Sequence, residues 1–197
     1  MQRHHWFDFL APRSPRTVRR LMANMLTGIR LLLVVPVAWA LAFPNFMSAP
    51  LLLVLITVGI LTDYFDGIVA RATNMASAKG QLFDHCTDFF FVAAGLTGVA
   101  NIGLVSPILP LLIAIAFSQY VLDSYFLFNQ KQLRMSFLGR WNGIFYFLPL
   151  IMISVSRLES VAEIQENIES IVALVNYLLI VSTVASIIDR GLAPLRE

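Results

Sequence analysis

Six apolar runs constrain this chain more than any other feature. They cover residues 26–43, 51–70, 82–104, 108–128, 137–155 and 171–188, and charged residues are few within them. At ~1.5 Å of rise per residue, a helix of about 18 to 25 residues crosses the ~30 Å hydrocarbon core of a bilayer. The 197 residues are 58% hydrophobic and 13% charged, with a mean hydropathy of +0.75, which places the chain outside the range of soluble domains. The expected fold is an all-α integral membrane protein. Six transmembrane helices fill residues 25–197, and a short basic cytoplasmic, interfacial segment covers residues 1–24. That segment sets Arg3, Arg13, Arg16, Arg19 and Arg20 around Trp6, Phe7 and Phe9, and it lacks the apolar stretch of a cleaved signal peptide. Pro12 and Pro15 limit any helix there to a short or broken one.

The basic residues sort by side. With a cytoplasmic N-terminus and six spans, thirteen of the fourteen Lys and Arg residues fall on the cytoplasmic side, and only Arg157 falls outside. The outer loop carries Glu159, Glu163, Glu166 and Glu169 instead. Both termini and the turn between the second and third runs are therefore expected in the cytoplasm.

Against this apolar background stand four acids, in the spacing Asp63-x2-Asp66-Gly67-x2-Ala70-Arg71-x8-Gly80-x3-Asp84-x3-Asp88. On a helix, positions 63, 66, 67 and 70 share one face, as do 80, 84 and 88. A charge at bilayer depth costs about 2.5 to 3.5 kcal/mol on insertion scales, and like charges one turn apart repel as well. A cation is therefore required among them, and oxygen donors suit hard divalent metals such as Mg2+ or Mn2+. Asp63 lies eight residues before Arg71, about 12 Å at ~1.5 Å per residue, so the acids line a cavity facing the cytoplasm. Metal-bound phosphate chemistry, as phosphoryl or phosphatidyl transfer, fits such a place. Gly67 and Gly80 would let a ligand approach the backbone, Arg71 offers a planar donor fork to phosphate, and one carboxylate could take a proton from an attacking hydroxyl.

The eight fixed residues of this spacing resemble the signature of the CDP-alcohol phosphotransferases, and Asn24-x-Leu26-Thr27-x2-Arg30 resembles their usual lead-in. The resemblance implies transfer of a phosphatidyl group from CDP-diacylglycerol to a small polar alcohol, with release of CMP. It implies Asp63, Asp66 and Asp84 as metal ligands, with Asp88 near the metals and acting as general base. It also implies that Gly67, Ala70, Arg71 and Gly80 hold the donor nucleotide, that the protein is a homodimer, and that nucleic acid is no partner. The size resembles bacterial and archaeal members, hence a cell (inner) membrane. Members using glycerol phosphate usually carry Pro after the third aspartate and Lys after the fourth, where this chain has His85 and Phe89. The string Leu82-Phe83-Asp84-His85 is instead reminiscent of choline and ethanolamine phosphotransferases, which use a CDP-linked headgroup. An ion transporter is the rival from another class, although no inverted repeat supports it.

Lys131, Arg134, Arg140 and Arg190 cluster at cytoplasmic helix ends, where they could surround the phosphate of an acceptor such as glycerol 3-phosphate or serve only as topology anchors. Asn142 could line the same pocket. Asp123 is expected in a structural ion pair. His85 sits about 100° off the face of Asp84 and Asp88, which argues against a ligand role. Ala94, Gly95 and Gly98 suit close helix packing, either within the chain or across a dimer. Cys86 is the single cysteine and reads as a small buried apolar residue.

Overall fold

The computed structural model describes the backbone of residues 15–72, 78–123 and 137–192, and the side chains of residues 25–65, 80–123 and 137–192. Seven α-helices follow in order: α1 Pro15–Ala42, α2 Ala49–Ala72, α3 Ala78–Asn101, α4 Ile108–Leu122, α5 Phe137–Phe145, α6 Phe147–Ser156 and α7 Gln165–Leu192. A 3₁₀ helix, Glu159–Ile164, precedes α7. No strand occurs among the described residues.

Each of the six apolar runs contains a helix. Three helical stretches are long and apolar enough to cross a membrane, namely Met25–Ala42, Phe137–Ser156 and Glu159–Leu192, and Ala49–Phe65 and Ile108–Leu122 are shorter apolar helices. The protein is an all-α integral membrane protein, and Leu32, Val35, Leu111, Leu174 and Leu178 on its outer surface are more than half exposed, as side chains facing lipid are.

Two boundaries differ from the sequence expectation. First, α1 begins at Pro15, ten residues before the expected first span, so 15–24 continue the same helix. Proline at a helix start sacrifices no hydrogen bond and fixes φ near the helical value. Second, the fifth run is divided at Tyr146. Pro149 has no N–H to give the Phe145 carbonyl, and its ring crowds that oxygen, so the helix loosens one turn before the proline.

Helix α1 is the centre of the N-terminal half. Among the described residues it packs most extensively against α3 and then α2, while the backbones of α2 and α3 stay farther apart and meet through side chains such as the Phe91 ring over Gly59. The close approach has a local cause. A Cβ on Gly98 would lie 2.5 Å from the Ala38 carbonyl oxygen, and one on Gly95 would lie 3.0 Å from a Leu150 methyl group. The small residues of α3 thus serve packing inside the chain. In lipid, where helices gain little by hiding apolar surface from one another, such approach supplies much of the attraction. Leu41, Leu52, Ile56, Leu96, Leu150 and Ile153, each 0% exposed, fill the space between α1, α2, α3 and α6.

Arg157, the exception to the charge sorting, has a structural use. It follows α6, and its guanidinium donates to the carbonyls of Ala40 at 2.7 Å and Leu41 at 2.8 Å. These belong to the last turn of α1, whose carbonyls have no partner within the helix and where the helix dipole favours a cation. Replacing Arg157 with Ala should cost about 1 to 3 kcal/mol, the worth of hydrogen bonds from a charged donor. In detergent or nanodiscs the melting temperature should fall by several degrees at ~2 to 4 °C per kcal/mol. An unchanged melting temperature would show that water satisfies those carbonyls equally well.

Candidate active site

The acids meet at the end of the bundle where α1 and α3 begin and α2 ends. Asp63 projects from α2, and Asp84 and Asp88 stand one turn apart on α3, as the helical spacing requires. Between them lies Arg30 of α1, fully buried at 0% exposure. One guanidinium nitrogen, Nη1, lies 3.3 Å from Asp63 Oδ1, 3.0 Å from Asp84 Oδ1, and in still closer contact with Asp88 Oδ1. The carboxylates themselves stay accessible, with side chains 41%, 26% and 25% exposed. Arg30 thus holds them from behind while they face outward.

Sequence reasoning anticipated a cation here and named a metal. It counted Arg30 among the basic residues of the cytoplasmic side, whereas the side chain is turned into the bundle. The signal was present in the lead-in Asn24-x-Leu26-Thr27-x2-Arg30, which places one arginine inside an otherwise apolar span.

The outward faces of Asp63, Asp84 and Asp88 form one wall of a cavity of ≈ 770 Å³. Helices α2 to α7 all contribute to its lining, whereas α1 does not. Aromatic side chains make up much of the surface, and Phe89 and Phe117 stack with ring centroids 4.4 Å apart. Arg140 of α5 and Arg190 of α7 line the same space. The Arg190 guanidinium sits over the Tyr120 ring at 4.8 Å and pairs with Asp123 at 3.7 Å, the structural ion pair expected for that acid. His85 meets Tyr120 edge-on at 6.0 Å between centroids.

The donor set fits a hard divalent cation. Ligand atoms of Asp84, His85 and Asp88 lie within 4.8 Å of one another, close enough to share one ion, and Asp63 adjoins them through Arg30. His85 enters this group although its position is about 100° around the helix from its neighbours, because a side chain several bonds long covers that offset. Other expected residues lie elsewhere. Asn142 is buried outside the cavity lining, with Oδ1 accepting from the Ser182 hydroxyl at 2.6 Å. Gly80 is half-buried in the first turn of α3. Asp66, Gly67, Ala70 and Arg71 belong to the last turns of α2, but the side chains of these positions lie outside the described residues, as Lys131 and Arg134 do entirely.

No curated relative matches the chain at a significant level. The sequence model describing CDP-alcohol phosphatidyltransferases matches residues 20–188, from the first helix through nearly all of α7, and includes the whole acid cluster and Arg140, while Arg190 lies two residues past its end. A match of that extent, over a site of this geometry, places the chain in the CDP-alcohol phosphatidyltransferase family, a family of transferase enzymes.

Proposed function

We infer that this protein transfers the phosphatidyl group of CDP-diacylglycerol to a small polar alcohol, releasing CMP, with Mg2+ or Mn2+ bound at Asp63, Asp66, Asp84 and Asp88. The observation that carries this reading is a single cavity with three motif carboxylates on one wall and Arg140 and Arg190 on another. A bound divalent ion would polarise the phosphate and offset the carboxylate charge. Asp88 is the general base, since a carboxylate facing the cavity can take the proton of the attacking hydroxyl. Gly67, Ala70, Arg71 and Gly80 hold the donor nucleotide by their place in the family's signature.

The basic wall favours an acceptor that carries a phosphate of its own, such as glycerol 3-phosphate. Arg140 is exposed to the cavity, and Arg190 is held in place by Asp123 and Tyr120. Gln119 adds a polar group, because its buried Oε1 has no hydrogen-bond partner among the described residues while its Nε2 donates to the Ile187 carbonyl at 3.3 Å. Lys131 and Arg134 would extend the same cluster. Six spans, cytoplasmic termini and a site opening to the cytoplasm follow from the charge sorting, and a homodimer from the family.

The direct test offers labelled CDP-diacylglycerol with candidate alcohols singly and follows CMP. Release should require one phosphorylated acceptor, stop with excess chelator, and return with Mg2+ or Mn2+; full turnover in chelator removes the metal from the reading. Asp88→Asn should slow CMP release by about 10²- to 10⁴-fold, the usual worth of a positioned base, while CDP-lipid binding persists. Equal loss of donor binding would make Asp88 chiefly a ligand. For Arg140→Gln, the acceptor KM should rise about tenfold or more with the CDP-lipid KM nearly constant, because a charge-assisted bond to phosphate acts in binding. A donor-only defect would assign Arg140 to the diphosphate, and an uncharged alcohol would then be the better acceptor.

A further inference from the structure

Arg30 is absent from the cavity lining, yet it touches all three motif acids whose side chains are described. Its place in the fold is equally informative. Helix α1 lies between α2 and α3, so a side chain from α1 is the one that can reach carboxylates on both neighbours at once. All three acids use Oδ1 on the same guanidinium nitrogen, while their partial exposure keeps carboxylate surface open toward the cavity.

We propose that Arg30 is a positioning residue for the metal site, a buried guanidinium that draws Asp63 of α2 and Asp84 and Asp88 of α3 into one donor set from behind. The inference rests on the metal reading of the cluster given above. Three carboxylates from two helices in a poorly solvated site repel one another, and the described backbones of α2 and α3 approach closely at few positions, with the packing of Phe91 on Gly59 lying deeper in the bundle than the acids that must be held together. A fixed guanidinium supplies the opposing attraction, and its planar head, held by burial, keeps the one nitrogen that meets all three acids in place. Partners that orient metal ligands from the outer shell commonly account for ten- to a hundredfold in metal affinity.

The test measures Mn2+ binding to the purified full chain by paramagnetic resonance and thermal stability in parallel, for the native protein, Arg30→Gln, Arg30→Lys and Arg157→Ala. Gln keeps a polar head of similar breadth without the charge, and Lys keeps the charge without the fork. Mn2+ affinity should fall about ten- to a hundredfold in Arg30→Gln and by a smaller factor in Arg30→Lys. Arg157→Ala, which loosens the opposite end of α1, should lose thermal stability with Mn2+ affinity within about twofold of native. Should Arg30→Gln fail to fold, the lysine variant decides: a loss of at least about threefold supports the proposal, and native affinity overturns it. Native or tighter Mn2+ binding in folded Arg30→Gln also overturns it, as does a loss in Arg157→Ala equal to that in Arg30→Gln, which would reduce the effect to general loosening. Absence of Mn2+ binding to the native protein overturns the metal reading itself, and this inference with it. Binding that is intact in the native protein and unchanged in the Arg30 variants removes only the role given to Arg30.

Discussion

One buried guanidinium shared by three carboxylates is the interaction on which the arrangement of this bundle turns. Arg30 has no contact with solvent, so its charge is tolerable only because acids surround it. The acids in turn come from two helices whose described backbones approach each other closely at few positions. Removing one partner from such a buried cluster typically costs about 3 to 5 kcal/mol, far more than loss of an exposed pair, because a charge is left uncompensated at low dielectric. The requirement acts at a distance along α1. For Arg30 to lie against α3, the two helix axes must approach closely, and Gly98, fourteen residues along α3 from Asp84 and ten from Asp88, permits that approach by lacking a Cβ opposite Ala38. Packing near one end of the bundle therefore sets the reach of a charge near the other.

The basic wall is organised by a different set of contacts. Tyr146, at the break before Pro149, hydrogen-bonds Thr183 at 2.8 Å, and Asn142 one turn earlier accepts from Ser182. Two neighbouring positions of α7 thus hold two successive turns on either side of the break. That fixes the rotation of α5 and with it the direction of Arg140. Arg190 is fixed separately, between Asp123 and the face of Tyr120. A proline inside an apolar helix in lipid would be a liability if the loosened segment could roll, and the hydroxyl and amide contacts to α7 oppose that.

Much of this was legible in the sequence because it depends on local rules. Run length and low charge located the helices, and 3.6-residue periodicity put Asp84 and Asp88 on one face. Asp123 was recognisable as an ion-pair partner because an isolated acid inside a span needs a cation. What the sequence could not supply was which helix stands between which. Arg30 is the clearest instance. Counting charges by loop assigns it to the membrane surface, while insertion of α1 between α2 and α3 turns it inward. His85 shows a related limit, since helical angle describes where a Cβ points and not where a long side chain ends, and its ring nitrogen comes within reach of the Asp84 and Asp88 carboxylates. Asn142 shares a turn with Arg140 yet faces α7, where the Ser182 hydroxyl donates to it, a pairing that depends on how α5 and α7 pack and that sequence spacing does not encode.

The cavity joins two walls of opposite charge without letting them cancel. Tyr120 is the element between, meeting His85 edge-on on the acid side and lying under Arg190 on the basic side. An aromatic ring in that position meets each group in a favourable geometry, a T-shaped contact with the imidazole and its face to the guanidinium. Direct pairing of Arg190 with Asp84 or Asp88 would neutralise both walls and leave neither to bind a substrate. Asp123 assists, because it occupies Arg190 from the side and limits its swing toward the acids. Arg140 is in no such ion pair with another described residue and lies exposed at the cavity, which under the proposed reading makes it the cation that would meet an incoming anion. Under the proposed reading, separation of the charges by Tyr120 would let one compartment present acids to a metal and a cation to an acceptor at the same time.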